Sequence, residues 1–149
     1  MIVVKPYTSD IKKDWDLVLS TSTNGHFFFQ REYLEYHSDR IKDASLVIYF
    51  ETTPIAIFPC SQKEFDIISH GGLTFGGLIY DKRLKSLEVL DVLRASCVYF
   101  FQQGFKALFY KKIPIFYHIT PTDSDEWALV KLGAQLKDIS IGFVIDNSY

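Results

Sequence analysis

The sequence SLVIYFETTPIAIFP, from Ser45 to Pro59, contains two apolar runs on either side of a short polar break. Each run has the length and the β-branched or aromatic content of a β-strand, and Glu51, Thr52 and Thr53 separate the two. The second run is almost unbroken in its apolar character, which is typical of a strand covered on both faces. We therefore predict two strands here, the second of them central in a sheet.

Two helices are predicted before this pair of strands. The first begins at Ser9 or Asp10, either of which can cap the first turn, and residues 20–25 end it. Its apolar stripe has helical spacing: Ile11, Trp15, Val18 and Leu19. A second, shorter helix is predicted over residues 30–39. Its apolar side consists of Tyr33, Leu34, His37 and Ile41.

The longest predicted helix runs from about Arg83 to Gln103, and Gly104 follows it as a left-handed stop. Its expected apolar face consists of Leu84, Leu87, Leu90, Cys97 and Phe101. Thr122 and Asp125 have capping-box spacing and open a helix through Leu132. Gly133 is expected to end that helix.

Three further strands are predicted at residues 65–69, 105–111 and 136–145. Strands mixed with helices in this order indicate an α/β or α+β sheet domain and disfavour a bundle or a sandwich. The length of 149 residues favours one domain over residues 1–149.

Composition excludes several classes of function. The chain has 16 basic and 18 acidic residues, so no cationic surplus favours DNA or RNA as the main partner. The N-terminus does not resemble a secretory signal and no run is long enough for a membrane span, so we expect a cytoplasmic protein. Cys60 and Cys97 are predicted to be reduced core thiols. The four histidines lack metal-ligand spacing, so no metal site is predicted.

The segment IISHGGLTFGGLIY, residues 67–80, contains no charged residue and four of the eight glycines. Its two Gly-Gly pairs allow the backbone to take positive φ twice. Successive N–H groups in such a loop can form an anion-binding nest for a diphosphate or a carboxylate. The alternative is a bulged strand junction in which glycine provides only clearance.

Several side chains are candidates for a site, each with a structural alternative. His70 precedes the first Gly-Gly pair and could act as a general base or simply bind a turn carbonyl. His118, next to Tyr117 in a second uncharged loop, has the same two interpretations. Arg40 could bind a phosphate or carboxylate, or form a surface pair with Asp39. The triplet Phe27-Phe28-Phe29 is more typical of a core than of a ligand platform. His26 and His37 are weaker candidates.

The sequence resembles the amino-terminal half of FemAB-like proteins of the GNAT acyltransferase superfamily, particularly members linked to polysaccharide or cell-envelope biosynthesis. Its most specific part is SHGGLTFGG, residues 69–77. The other matching segments are residues 24–40, 43–46, 56–59, 117–118 and 138–140.

This resemblance implies a GNAT-like mixed sheet flanked by helices, and transfer of an acyl group to an amine on an amino sugar or a cell-envelope precursor. It implies acetyl-CoA or another acyl donor, although no segment matches the acetyl-CoA loop Gln/Arg-x-x-Gly-x-Gly/Ala. His70 and His118 become candidate bases. The candidate acceptor-binding residues are Arg40, Ser69, Gly71, Gly72, Thr74, Gly76, Gly77 and Tyr117.

FemAB-like proteins resemble two GNAT-type halves in tandem, so the resemblance also implies a second half or a second copy as partner. The alternative function is a non-catalytic half that binds the acceptor or a partner chain. The apolar run at residues 139–145 would leave an edge that invites such pairing.

Overall fold

The computed structural model of the chain describes residues 1–36 and 38–142. The strands are β1 (Ile2–Pro6), β2 (Lys42–Asp43), β3 (Leu46–Phe50), β4 (Thr53–Phe58), β5 (Ser61–Lys63), β6 (Asp66–Ile68), β7 (Ile79–Tyr80) and β8 (Ala107–Phe109). The α-helices are α1 (Lys12–Thr21), α2 (Arg31–Glu35), α3 (Ser86–Gln102) and α4 (Ser124–Lys131).

The two apolar runs form the middle of an antiparallel sheet with the strand order β1-β3-β4-β7. Leu46 of β3 pairs with Phe58 of β4, and Glu51 takes a positive φ of 57° in the turn between them. The prediction of a central second strand is confirmed, since β4 lies between β3 and β7.

Both faces of this sheet are buried, which explains the unbroken apolar pattern. Leu46, Ile48 and Phe58 point to one side and pack against α3. Val47 and Ile57 alternate with them and pack against Trp15 and Val18 of α1 on the other side. The predicted stripe of α1 is therefore confirmed, and one helix layer covers each face.

The second sheet has the order β2-β5-β6-β8. Its strand β6 pairs in parallel with β8, with Ile67 opposite Leu108. The parallel pair matters for function because the loops that follow β6 and β8 leave from the same edge of the sheet.

The buried face of α3 differs from the predicted one. Leu87 and Phe101 are exposed, Leu84 and Cys97 are only partly buried, and Leu90 alone of the predicted set is in the core. The buried stripe of the helix is rotated around its axis relative to the predicted one: Val89, Leu90, Val92, Leu93, Ser96 and Phe100. Its end is as predicted, since Gly104 follows with a φ of 88°.

Two other predicted elements are wrong in extent. Helix α2 ends at Glu35. The N–H groups of Tyr36 and Ser38 donate to the carbonyls three residues earlier, which is the pattern of a tight 3-10 turn and not of an α-helix. His37 of its predicted stripe lies outside the described residues. The described part of the predicted strand 136–145 is not a strand: residues 134–142 are irregular, and Leu136, Ile139 and Ile141 are exposed. Residues 143–145 lie outside the description.

Strands β1, β2, β5 and β7 lie outside the strands predicted from sequence. Three of them have only two or three residues, too few to show an alternating pattern.

Both thiols are free in the structure, with Cys60 buried and Cys97 partly buried, and burial raises the pKa of each. No helix in the described part of the chain is long and apolar enough to cross a membrane.

Candidate functional site

The glycine loop and the loop of Tyr117 meet at the edge where β6 and β8 end. Residues 69–78, the glycine loop, follow β6; residues 110–121, which include Lys111 and Lys112 before the uncharged stretch 113–121, follow β8. The N–H of Ser69 donates to the Phe109 carbonyl at 2.9 Å, and the N–H of Gly76 donates to the Lys111 carbonyl at 3.1 Å. The N–H of Lys111 in turn donates to the Ser69 hydroxyl at 2.6 Å. The parallel strand pair thus places both predicted loops in one location.

A cluster of rings joins these loops to residues 26–33, which lead into α2 and form its first residues. We call it the aromatic face: His26, Phe27, Phe28, Tyr33, Phe75 and Tyr117. Three ring pairs form a continuous stack. Phe75 stacks on Tyr117 with centroids 4.9 Å apart and on Phe28 at 5.2 Å, and Phe28 stacks on Tyr33 at 5.2 Å. The loops from three distant parts of the sequence therefore build one surface.

This surface is open to solvent at its ends. Tyr33 and Tyr117 are each 43% exposed and Phe27 is 56% exposed, whereas Phe75 is buried beneath them. Phe29, the third member of the phenylalanine triplet, lies in the core. The triplet is therefore divided: one ring stabilises the fold and its neighbours form the face.

His26 is the centre of the aromatic face, although the sequence ranks it low. Its ring contacts Phe75 and Tyr117 edge-on, with centroids 5.3 and 5.0 Å away. Its Nδ1 accepts the N–H of Phe28 at 3.3 Å, which leaves Nε2 as the protonated nitrogen of the neutral ring. Burial lowers its pKa, so His26 is neutral near pH 7. The signal in the sequence is a histidine between a glycine turn and three phenylalanines.

The two predicted bases lie deeper. His70 and His118 are both buried, and the Nδ1 atom of each has no hydrogen-bond partner among the described residues. The Nε2 of His118 lies 3.3 Å from the Ile113 carbonyl. Burial lowers the pKa of both, and that of His70 to about 4. Both rings are therefore neutral near pH 7.

The glycines of the loop occupy positions with different steric requirements. A Cβ at Gly76 would collide with the Ser69 carbonyl, so this position needs glycine for clearance. Gly77 has a φ of 100° and lies against the Tyr110 ring. Gly71, Gly72 and Gly76 do not have positive φ, so the backbone uses at Gly77 alone the freedom that the two Gly-Gly pairs allow. At Gly71 and Gly72, which are exposed, a Cβ would meet only the side-chain ends of Ser61 and Ile41, so the need for clearance from backbone is specific to Gly76.

Most peptide N–H groups of the glycine loop are already bonded within the chain. Donors with a partner are those of Ser69, His70, Gly71, Leu73, Gly76 and Leu78. Those of Gly72, Thr74, Phe75 and Gly77 have no partner among the described residues, and of these only Thr74 and Phe75 are adjacent. The loop therefore has one pair of successive N–H groups without an internal partner.

The remaining predicted residues lie around the glycine loop. Thr74, Gly71 and Gly72 are exposed, and the Ile41 side chain lies against Gly72. Arg40, next to Ile41 in sequence, is exposed and pairs with Asp39 at 3.4 Å. This is the geometry of the surface-pair alternative for Arg40.

A buried pair under the loop was not predicted from sequence. The Tyr110 hydroxyl donates to Asp125 Oδ2 at 2.8 Å and accepts the N–H of Leu78 at 2.9 Å. Asp125 Oδ1 is buried without a partner among the described residues. Burial and the nearby carboxylate raise the pKa of Tyr110 well above its usual value. The capping-box spacing of Asp125 indicated a different use, as a helix cap.

The entry of α3 is the turn where strand β7 passes into the longest helix. The Asp81 carboxylate accepts the N–H of Arg83 at 2.9 Å, and the Asp81 carbonyl accepts the N–H of Leu84 at 3.0 Å. The Glu88 carboxylate accepts the N–H of Lys85 at 2.7 Å. Three successive backbone donors are thus occupied by the chain's own oxygens.

Comparison with models of known protein families finds no match, and neither does comparison with curated protein sequences. Two solved structures have a similar fold. One is a mutant of TTHA1254 from Thermus thermophilus, with a TM-score of 0.56, 14% identity and 99% of each chain covered. The other is the aminoglycoside antibiotic 6'-N-acetyltransferase from Acinetobacter haemolyticus, with a TM-score of 0.53, 16% identity, and 97% of this chain and 98% of that chain covered. The chain therefore has a GNAT-like α+β fold.

Acyl-CoA, the donor that the resemblance implies, carries a diphosphate, and strand-to-helix turns with free N–H groups are where diphosphates bind. At the entry of α3 the N–H groups at positions 83–85 are occupied and Glu88 adds a negative charge in the first turn, whereas the N–H groups of Ser86 and Leu87 have no partner among the described residues. No group of three or more metal-ligand side chains exists in the described part of the chain either.

Proposed function

We propose that this chain acts in the transfer of an acyl group to an amine, and that the aromatic face and the glycine loop bind the amine acceptor. The observation that carries this proposal is the convergence of the glycine loop, the loop of Tyr117 and His26 on one exposed surface at the edge of a GNAT-like sheet. Loops at strand ends, positioned by a rigid sheet, are the ordinary location of binding sites in such folds.

The acceptor is an amino sugar or a cell-envelope precursor that carries one. The apolar face of a sugar ring packs well on aromatic side chains, and Tyr117 and Phe27 supply exposed rings. Thr74, Gly71 and Gly72 provide a polar rim of one hydroxyl and exposed backbone. The structural neighbour from Acinetobacter haemolyticus is an aminoglycoside 6'-N-acetyltransferase, so the acceptor of that protein is an amine on an aminoglycoside.

The chemistry requires a C–N bond to form between the acceptor amine and an acyl carbonyl, while the bond from that carbonyl carbon to its leaving oxygen or sulfur breaks. We assign polarisation of the carbonyl oxygen to the adjacent N–H groups of Thr74 and Phe75, because neither has a partner among the described residues. The proton lost by the amine is assigned to a neutral histidine. His118, next to Tyr117, and His70, under Gly72, are the candidates, each reached through water because both are buried.

A second candidate function is an acceptor-binding domain that performs no chemistry by itself. The absence of a segment that matches the acetyl-CoA loop favours it, and so does the negative charge of Glu88 in the first turn of α3. In that case residues 1–149 form one domain that works with a second GNAT-like half or a second copy. The exposed apolar residues Leu136, Ile139 and Ile141 supply surface for such a partner.

A calorimetric titration of the purified chain with glucosamine and galactosamine tests the acceptor site. We expect saturable binding that the Tyr117→Ala variant weakens at least several-fold, because it removes one end of the ring stack. N-Acetylglucosamine, whose amine is already acylated, should bind more weakly than glucosamine.

Phe101→Ala is the matched control, since Phe101 is an aromatic residue of α3, 78% exposed and outside the aromatic face. It should bind the amino sugars as the unaltered chain does. Equal loss in both variants, or no saturable binding of either sugar, would contradict the proposed acceptor site.

A further inference from the structure

Two neighbouring lysines follow strand β8, and the structure gives their side chains different partners. The ammonium of Lys112 donates to the carboxylate of Asp123 at 2.7 Å and also to that of Glu126. The ammonium of Lys111 donates instead to the backbone carbonyl of Leu73, in the glycine loop. A partly buried cation therefore lies on a peptide group of the candidate site.

We infer that Lys111 is a positioning residue for acyl transfer: its ammonium polarises the peptide between Leu73 and Thr74, and so strengthens the Thr74 N–H as a donor to the acyl carbonyl. This inference rests on the proposed function, in which the N–H groups of Thr74 and Phe75 polarise that carbonyl. It adds a side chain whose charge acts on the reaction without touching the acyl group.

The geometry of one peptide group is the first observation. The peptide between Leu73 and Thr74 is planar and trans, so its carbonyl and its N–H lie on opposite edges. Lys111 occupies the carbonyl edge, and the N–H has no partner among the described residues. Because resonance couples the two ends of a peptide, a cation bound to the oxygen draws electron density from the nitrogen. The N–H is therefore a stronger donor before any ligand binds.

The charge of Lys111 is the second observation. Its ammonium has no ion pair with a carboxylate in the described part of the chain, and burial alone lowers its pKa. The titratable ring of His70 does not offset this charge, since it is neutral near pH 7. A charge that is partly withdrawn from water acts more strongly on a bonded dipole than an exposed one does.

Backbone bonds fix both partners of this contact. The N–H of Lys111 donates to the Ser69 hydroxyl at 2.6 Å, and its carbonyl accepts the N–H of Gly76 at 3.1 Å. In the loop, the N–H of Leu73 donates to the His70 carbonyl at 3.2 Å. Both segments are therefore anchored independently of the ammonium, as a preorganised donor requires.

Amide hydrogen exchange of the isotopically labelled chain, followed by NMR, tests the inference without a ligand. Thr74 is exposed and its N–H is unpartnered, so its base-catalysed exchange rate reports the acidity of this N–H. Lys111→Met keeps the aliphatic stem and removes the charge, so the Thr74 N–H should exchange several-fold more slowly. Lys111→Gln, a second neutral variant, should also slow it, and Lys111→Arg should keep the rate of the unaltered chain. A merely structural role predicts the opposite, since a loosened loop exchanges faster.

Lys112→Met is the matched control, since it removes an equal charge one position away from a side chain already paired with Asp123 and Glu126. It should leave the exchange of Thr74 unchanged. Unchanged or faster exchange in the neutral variants of Lys111, or equal slowing by Lys112→Met, would overturn the inference. None of these rates depends on amino-sugar binding, so failure here is distinguishable from failure of the acceptor site.

Discussion

Burial determines the charge of His70 and links the glycine loop to pH. The folded pKa is about 4, against an ordinary value of 6.5, because the ring is removed from water. Between these two values the unfolded chain binds a proton that the folded chain does not. The contribution of His70 to stability is therefore complete above about pH 6.5 and is lost as the pH falls towards 4.

We predict that lowering the pH from 7 to 5 costs about 2 kcal/mol of unfolding free energy through His70 alone. Urea unfolding of the chain and of His70→Gln at both pH values measures this, because glutamine does not titrate. The variant should lose less stability on acidification by that amount. Parallel pH dependences of the two proteins would show that His70 is not held neutral by burial.

Gly76 is required for close approach of two backbones. A Cβ there collides with the Ser69 carbonyl, which neither chain segment can avoid by a rotamer change. We predict that Gly76→Ala costs about 3 kcal/mol. Gly104→Ala, which has a positive φ but open space around it, should cost only about 1 kcal/mol. Chemical denaturation of both variants checks the order, and a smaller loss at Gly76 would refute the packing argument.

At the scale of elements, Arg31 connects helix α2 to the rest of the fold. Its buried guanidinium pairs with Asp43 of β2 at 2.6 Å and with Glu35 at 3.1 Å. It also stacks on the ring of Tyr7, with 3.7 Å from Cζ to the centroid. Together with the buried side chain of Leu34, Arg31 therefore fixes the position of the short helix α2, which carries Tyr33 of the aromatic face.

Replacing Arg31 by Lys keeps the charge but loses the planar fork and the stacking, so we predict a loss of about 3 kcal/mol. Arg94→Lys, at an exposed pair with Asp91, should change stability by less than about 0.5 kcal/mol. Thermal unfolding of the two variants gives the comparison. Similar midpoints for both would mean that the buried network of Arg31 contributes no more to stability than the exposed pair of Arg94 with Asp91.

Local pattern determines some elements and not others. The strands β3 and β4, and the C-terminal end of α3, follow from apolar runs and a glycine stop, which act within a few residues. Most of the buried face of α3 was predicted wrongly, because apolar residues occur around much of the helix and the sheet selects which ones it covers. Strand β7 could not be predicted, because two residues hold no pattern and its pairing with β4 is a long-range contact.

At the scale of the whole molecule, the separate loops of the site were predicted from the sequence, but their contact with one another was not. The sequence identified the glycine loop and the loop of Tyr117 as unusual, but the parallel pairing of β6 and β8 that brings them together depends on the entire fold. His26 was undervalued for the same reason, since its contacts with Phe75 and Tyr117 cross some 50 and 90 positions of sequence.

The most direct measurement of the central claim is a two-dimensional NMR titration of the isotopically labelled chain with glucosamine. The account predicts that amide and ring signals of His26, Thr74, Phe75 and Tyr117 shift together and fit one dissociation constant, while signals of Phe101 and Phe109 do not move. Shifts confined to the entry of α3, or spread evenly over the surface, would contradict the assignment of the aromatic face as the acceptor site.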